Sequence, residues 1–402
     1  MKYLLLYFLL TVHFCYSQEN FYGIVLNASN QQPIPFAHFS FEKNHGFISN
    51  EKGEFQFTYT AKKVKVKISA IGYQNKYASL LAQKKNIVYL HKKTEHLEEV
   101  VINYEDPAKA LIRKAVEHIP KNYPTQHEQI HGSITENTSY DSLGKHPIYK
   151  INAFIKADKF SYAKKSRNGN VQVLNTAIET FDLDILAFRF YGGAHSVHYD
   201  DYVLARKGPL TLKRLDDYKL SIKDTLHYDN QSVIQLDYRR NKSYGSFYIA
   251  ADSYAILRVT YNKDPKEVKE TGFNFLKTYE RTFINDVVSY EKDEDDKWRL
   301  KFIYSSIGFK HQKKQKSIYI DGTFSATKHL PVASLIDAKD RFQFTGILSD
   351  YSLEIVKKEE RPKLNALQKF GMFLVKIRNE TSISYHPYQI QAQEHYFDFL
   401  GQ

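Results

Sequence analysis

Lys63-Val64-Lys65-Val66-Lys67-Ile68-Ser69 alternates charged and apolar side chains without a break. A period of two sends Val64, Val66 and Ile68 to one face and the three lysines to the other, the pattern of a strand with one buried face. The lysine face also reads as a guard against edge-to-edge pairing with other chains. Short runs of the same character recur on either side. Tyr22–Leu26 precedes the polar turn Asn27–Gln32, and Pro33–Phe41 reads as the next strand, with Ile34, Phe36, Phe39 and Phe41 on its buried side. Phe47 and Ile48 follow the loop through Asn44, His45 and Gly46, while Phe55 and Phe57 alternate with Gln56 and Thr58. Between them, Asn50-Glu51-Lys52-Gly53 is a turn in which Gly53 can supply a positive φ. Short strands with a turn signal about every ten residues predict a β-sandwich over residues 21–92.

The first residues have the three parts of a secretory signal: Lys2, the apolar run Tyr3–Phe14, and small Ser17 just before Gln18. The run is too short to cross a bilayer, which takes roughly 20 apolar residues. Cys15 is the sequence's one cysteine, and His13 and Phe14 before it are not the small residues of a lipoprotein signal. Cleavage and release is therefore the expectation, with residues 1–17 as the signal peptide. The mature chain would hold no cysteine, which excludes disulfides, thiolate catalysis and cysteine-based zinc sites. Roughly 385 residues would remain, enough for two or three domains. No later segment reaches transmembrane length without charges.

Lysine and arginine number 57 against 45 acidic residues, a formal charge of +12. Export directs that excess away from nucleic acid; a well-solvated surface is the first reading of it, with anionic lipid head groups or acidic polysaccharide as the alternative counterparts. The 31 tyrosines and 27 phenylalanines dominate the apolar content, which favours strands over helices.

Four blocks in the first region fall in a fixed order: Gly23-Ile24-Val25, Gln32-Pro33-Ile34-Pro35-Phe36-Ala37, Ser49-Asn50-Glu51-Lys52-Gly53-Glu54-Phe55 and Ile68-Ser69-Ala70-Ile71-Gly72-Tyr73. Together they resemble the carboxypeptidase-regulatory-like domain common in the envelope proteins of Bacteroidota. The resemblance implies a transthyretin-like sandwich of about seven strands. It does not imply peptidase activity, because in carboxypeptidases this module is an appendage beside the catalytic domain. Leu97-Glu98-Glu99-Val100-Val101-Ile102 is similar to the segment that follows the domain in that group.

Residues 93–127 read as a linker and an amphipathic helix. Asp106 is a preferred N-cap, Pro107 suits the first helical position, and Ala108, Leu111, Ile112, Ala115, Val116 and Ile119 form one apolar stripe. From residue 128 to 402 strand patterns return: Ile148–Ile155, Val171–Ile178, Leu210–Ile222, Ser232–Tyr238, and Ser246–Ala250 pairing with Tyr254–Tyr261 through Ala251-Asp252-Ser253. Arg299–Ser305 and Gln315–Ile320 flank the basic turn Lys310–Lys316, and residues 341–356 add two more strands. Phe181–Tyr191 and Pro362–Ile377 are the remaining helix candidates. Gly245–Ile249 followed by Asp252–Ile256 resembles a hairpin of lipoprotein-carrier-like half-barrels. The expected class is thus mainly β: a seven-stranded sandwich, a connecting helix, and a large antiparallel β-rich domain built as a half-barrel or a sandwich.

Candidate chemistry is sparse. His96-Leu97-Glu98-Glu99 has the His-x-x-Glu spacing of a zinc site but lies in the linker. His195, His198, Asp200 and Asp201, beside Gly192-Gly193, form the densest set of metal-ligand types, set against a surface loop with scattered polar residues. Asp293-Glu294-Asp295-Asp296 lacks the glycine of an EF-hand loop and reads as a solvated hairpin tip. There is no Gly-x-Ser-x-Gly elbow, phosphate loop or dinucleotide fingerprint, and no cofactor is expected. These readings lead to a non-catalytic, exported, periplasmic or outer-membrane-associated protein. Its sandwich would dock or space, and its β-rich domain would bind a lipid-like ligand or an envelope protein. The alternatives are a metal-assisted hydrolase using His195, His198 and Asp200 or Asp201, and a small outer-membrane barrel.

Overall fold

A computed structural model describes residues 19–42, 45–93, 106–141, 144, 146–166, 171–180, 196–263, 279–311 and 317–331. They divide into two compact units: the described residues up to Lys93 together with Leu226–Ser232, and the remainder. Among the described residues no helix is long and apolar enough to cross a membrane.

Among the described residues up to Lys93 the first unit has seven strands: β1 (Glu19–Asn27), β2 (His38–Glu42), β3 (His45–Ile48), β4 (Glu54–Tyr59), β5 (Lys63–Ser69), β6 (Lys76–Leu81) and β7 (Lys85–Leu90). They form a three-stranded sheet in the order β4-β1-β7 and a four-stranded sheet in the order β3-β2-β5-β6. Alternation does what the sequence requires: Phe21 and Val25 from one sheet and Val64, Val66 and Ile68 from the other turn into one core. Six phenylalanines cluster in and against it: Phe21, Phe39 and Phe55 buried, Phe41, Phe47 and Phe57 partly so. Phe21 stacks on Phe57 at 4.9 Å, and Phe39 and Phe57 each stack on Phe47 at 4.4 Å. Such offset contacts add to the burial of large rings. At Gly53 φ is +71°, and Asn50 accepts from the amides of Lys52 and Glu54, so the turn has the expected form.

Two expectations for this unit are corrected. Pro33–Phe41 is not one strand. Pro33 makes an isolated bridge to Leu26, Phe36 has a φ of +55°, and the strand begins only at His38. Two prolines within three residues withhold the amides a ladder needs. Secondly, β5 lies between β2 and β6, so its lysines do not guard an edge. They face solvent above a central strand.

In the second unit, α1 (Pro107–Glu117) starts as the sequence predicts, with Asp106 Oδ1 accepting from the Ala108 amide at 3.0 Å. It buries Ala108, Leu111, Ile112 and Ala115, and a further turn, α2 (Ile119–Asn122), leads to fully buried Tyr123. Ten strands follow: β8 (Glu128–Ser139), β9 (Pro147–Lys159), β10 (Val171–Thr180), β11 (Lys219–Tyr228), β12 (Gln231–Arg240), β13 (Ser243–Ala250), β14 (Ile256–Lys263), β15 (Tyr279–Lys292), β16 (Trp298–His311) and β17 (Ser317–Pro331). They make one antiparallel sheet in the order β10-β9-β8-β17-β16-β15-β14-β13-β12-β11. The large β domain is therefore a single sheet among the described residues, rather than two stacked ones. The β13–β14 hairpin sits where the sequence places it, but Leu210–Ile222 does not form one strand. Two 3₁₀ turns occupy Gly208–Leu210 and Leu212–Asp217, and β11 starts at Lys219. β8 and β15 have no counterpart in the sequence reading. The strands expected over 341–356 and both further helix candidates lie outside the described residues.

Candidate functional site

The second unit buries several charged side chains, Lys159, Asp200, Asp201 and Asp286 among them, where α1, α2 and the segment 196–217 meet the sheet. Tyr123 enters first. Between β13 and β14 the register steps from Tyr248 opposite Arg258 to Ile249 opposite Ile256, leaving Leu257 extra. Such a bulge withdraws backbone groups from the ladder. The Tyr123 hydroxyl meets them, donating to the Ile256 carbonyl at 2.6 Å and accepting from its amide at 2.9 Å. The Tyr123 ring stacks on Tyr162 at 5.2 Å and meets Tyr290 edge-on at 5.7 Å.

Those two tyrosines converge on Asp201, whose side chain is fully buried. Tyr162 Oη and Lys159 Nζ both donate to Oδ2 at 2.6 Å. Tyr290 Oη at 2.8 Å and the Leu204 amide at 3.0 Å donate to Oδ1. Lys159, at the end of β9, also reaches the Val197 carbonyl at 2.7 Å. Burial alone would push the Asp201 carboxyl up, but Lys159 and the surrounding donors hold it below the usual carboxylate range. Four donors satisfy the two oxygens. Asp201 anchors the structure as an anion.

Its neighbours face other partners. Asp200 accepts from Lys207 Nζ at 2.8 Å, and that ammonium lies 4.0 Å from the Tyr199 ring centre and 5.0 Å from that of Tyr202. Tyr202 Oη reaches toward Asp286 Oδ2 at 3.5 Å, while Ser305 Oγ donates to Asp286 Oδ1 at 2.6 Å. Burial, reinforced by the negative charge of Asp200, pushes the Asp286 carboxyl up to about 7, against the opposing pull of Ser305, Lys207 and Tyr202. A third cluster joins β8 to the β15–β16 hairpin. Arg299 grips Glu128 with Nη2 at 2.7 Å and Nε at 3.0 Å, and holds Asp295 at 2.5 Å. His329 donates from Nε2 to the Leu300 carbonyl at 3.1 Å, and its buried Nδ1 stands 3.8 Å from Glu128 Oε2. Burial and then the Arg299 charge hold this imidazole down to about 3.

The residues named from sequence separate under this geometry. His195, and the His96 and Glu99 of the linker, lie outside the described residues. His198, Asp200 and Asp201 are not on a surface loop: His198 closes into the short helix α3 (Ser196–Tyr199), and all three are buried. Asp201 and Asp200 are committed to Lys159 and Lys207. Asp293–Asp296 is a hairpin tip, as expected, with Asp295 held by Arg299 and Asp296 by Lys292 at 2.8 Å. Among the described residues no group of three or more His, Cys, Asp or Glu is disposed to hold a metal ion. Lys159, Tyr162, Asp286 and Tyr290 escaped the sequence reading because each is one residue of an ordinary strand or turn, joined to Asp200–Tyr202 only by folding.

In the first unit the motif glycines lie where a turn or a close approach requires them. Gly23 sits where an added Cβ would come within 1.9 Å of the Asn86 carbonyl oxygen, and Gly53 and Gly72 have φ of +71° and +85°. Residues 21–102 match the family model of the CarboxypepD_reg-like domain. The first unit is a carboxypeptidase-regulatory-like domain. Two solved structures align over most of their own lengths. A DUF1329 family protein from Desulfovibrio piger is 14% identical over 59% of this chain and 98% of its own, with a TM-score of 0.26. A structure titled as acetoacetate decarboxylase is 7% identical over 55% of this chain and 99% of its own, with a TM-score of 0.09. Neither score indicates a shared fold. No curated protein sequence matches the chain.

Proposed function

We propose that this is a non-catalytic protein of the cell envelope, in which the carboxypeptidase-regulatory-like domain serves as a docking or spacer module. The ten-stranded unit would bind an envelope component, either a lipid or a protein. The observation that carries this reading is Asp201. Catalytic carboxylates keep an oxygen for substrate, water or metal, whereas Asp201 gives both of its oxygens to Lys159, Tyr162, Tyr290 and the Leu204 amide. The signal-like residues 1–17 support export, and the regulatory-like domain supports an accessory role.

Two measurements test it. N-terminal sequencing of the protein recovered from cell fractions should place the processed chain in the envelope, starting near Gln18; an unprocessed cytosolic chain removes the export half. Native mass spectrometry of the protein extracted in mild detergent should reveal a retained lipid or a stoichiometric protein partner. Hydrolytic activity that disappears with His198→Ala or Asp200→Asn, together with stoichiometric zinc, would replace this reading with the metal-assisted hydrolase.

A further inference from the structure

The strands β6 and β7 form one rim of the regulatory-like domain, where its two sheets meet. Asn86 ties that rim together. Its amide nitrogen lies 3.1 Å from the Tyr22 carbonyl oxygen, 2.9 Å from that of Leu81 and 2.9 Å from that of Lys84, while its Oδ1 accepts from the Leu81 amide at 2.9 Å. Lys76 Nζ crosses from β6 to the Tyr89 carbonyl of β7 at 3.0 Å. Among its described residues the domain leaves five large apolar side chains exposed, and all five lie on this rim or the strand beside it: Tyr77 (79%), Leu81 (40%), Ile87 (50%), Tyr89 (38%) and Tyr22 (38%). Three are tyrosines, whose amphipathic rings suit the level of lipid headgroups.

Charge falls in the same place. Residues 19–93 contain 11 lysines and four glutamates, an excess of +7 out of the chain's +12. From Thr60 to Lys93 there are nine lysines and no aspartate or glutamate. Lys67 is committed to Asp229 at 2.5 Å. Lys62, Lys63, Lys84 and Lys85 are exposed and have no acidic partner among the described residues. The fold brings those four to one end of the rim. Lys63 is opposite Leu81, the Ala82 amide donates to the Lys62 carbonyl at 2.9 Å, Lys85 is opposite Tyr22, and Lys84 lies in the intervening turn. One acid, Glu19, adjoins this end and accepts from Gln83 at 3.4 Å. Lysine stems can lie along apolar surface while the ammonium groups reach outward.

We propose that this rim docks on an anionic lipid surface, with the lysines on phosphate headgroups and Leu81, Ile87 and the tyrosines at the boundary with the acyl chains. Charge decides between occupants: an apolar rim with four unopposed lysines matches a dense, laterally uniform layer of phosphates. The proposal rests on the envelope reading above for its biological setting, yet vesicle binding tests it separately from export.

The purified protein should float with vesicles of phosphatidylcholine containing phosphatidylglycerol, and not with phosphatidylcholine alone. Near a charged surface each lysine contributes about fivefold to affinity, so losing two lysines costs about 25-fold, and K84E/K85E or K62E/K63E, which add two repelled carboxylates as well, should each weaken binding by more than about 25-fold. A second measurement uses Ile87→Trp, whose added indole should shift its emission to the blue on anionic vesicles only; the Ile87 side chain is exposed, so the change does not disturb the core. Circular dichroism and melting of each variant separate lost binding from lost folding. Equal binding to neutral vesicles, unchanged binding by both charge-reversed pairs, or no spectral shift in the Ile87→Trp variant would overturn the proposal. Displacement by inorganic phosphate beyond that by sodium chloride at equal ionic strength would assign the lysines to a free anion. Self-association through this face, abolished by I87S/L81S, would assign it to a second copy; either result overturns it.

Discussion

Replacing Lys159 with methionine removes the cation hydrogen-bonded to Asp201 while keeping a long, flexible side chain in its space. The carboxylate would remain fully buried, with the hydroxyls of Tyr162 and Tyr290 and the Leu204 amide as its donors. Breaking one side of a buried ion pair costs about 3–5 kcal/mol, because the surviving charge stays desolvated. For a unit of this size each kcal/mol lowers Tm by roughly 2–4 °C, so the midpoint should fall by about 6–20 °C. The protein has its own reporter: Trp298, its one tryptophan, is buried at the start of β16 in the same unit. Tryptophan fluorescence followed through urea unfolding should show an earlier transition for K159M. The second arm is K159M/D201N, which removes both charges while leaving an oxygen for the buried donors and an amide from which the Tyr162 hydroxyl can accept. It should recover part of the loss, since no unpaired charge then remains buried. A loss below about 1 kcal/mol in K159M would refute the argument that Lys159 neutralises Asp201, and so would a double variant as unstable as the single one.

Asp286 and His329 should pull stability in opposite directions with pH. The Asp286 carboxyl is raised to about 7 in the fold, so the native state holds a proton there that the unfolded chain has released, and stability falls as pH rises from about 4 to about 7. The His329 imidazole is lowered to about 3, so its contribution is full above about 6.5 and is lost as pH falls toward 3. Over the shared window the two slopes offset each other; urea midpoints of D286N should therefore rise with pH between about 4 and about 6.5, and those of H329Q should fall. In the first unit, Gly23→Ala would drive a methyl to 1.9 Å from the Asn86 carbonyl oxygen and force β1 and β7 apart. A loss of at least about 2 kcal/mol, measured by hydrogen exchange at β1 amides, is expected, because a backbone oxygen held in a sheet has little room to give. Tyr123→Phe keeps the ring but withdraws the hydroxyl from both groups of Ile256, and calorimetry should register a loss of about 1–3 kcal/mol.

The sandwich was legible because its information is local. Val64, Val66 and Ile68 alternate with lysines, Gly53 follows Asn50 at turn spacing, and a strand period survives whatever the rest of the chain does. The helix was legible for the same reason, since Asp106-Pro107 and a clean apolar stripe are enough to start and orient it. Pro33–Phe41 misled because its apolar residues suggest a strand while its prolines forbid the ladder. In the second unit, β8 is hard to see: Glu128-Gln129-Ile130-His131-Gly132-Ser133 carries polar residues even on its buried face, where Glu128 is matched by Arg299. Asp200 and Asp201 drew notice as polar neighbours, but their burial depends on Lys159, Lys207, Tyr162 and Tyr290, which no spacing rule links to them. A buried charge and a surface charge look alike until the partner is known.

The strand order has a consequence for how the chain is made. β8 pairs with β17, so Glu128 finds its neighbour at Pro331 and Ile134 at Phe324, with all the strands from β9 to β16 coming between them along the chain. A chain emerging from its amino terminus can complete the regulatory-like domain's own seven strands early. The β8–β10 block must then wait, one long border uncovered, until β17 arrives to seal it. Waiting of that kind slows folding and leaves a sticky margin open to other nascent chains. Truncations ending before Ser317 should therefore aggregate through β8, while the amino-terminal sandwich within them stays intact.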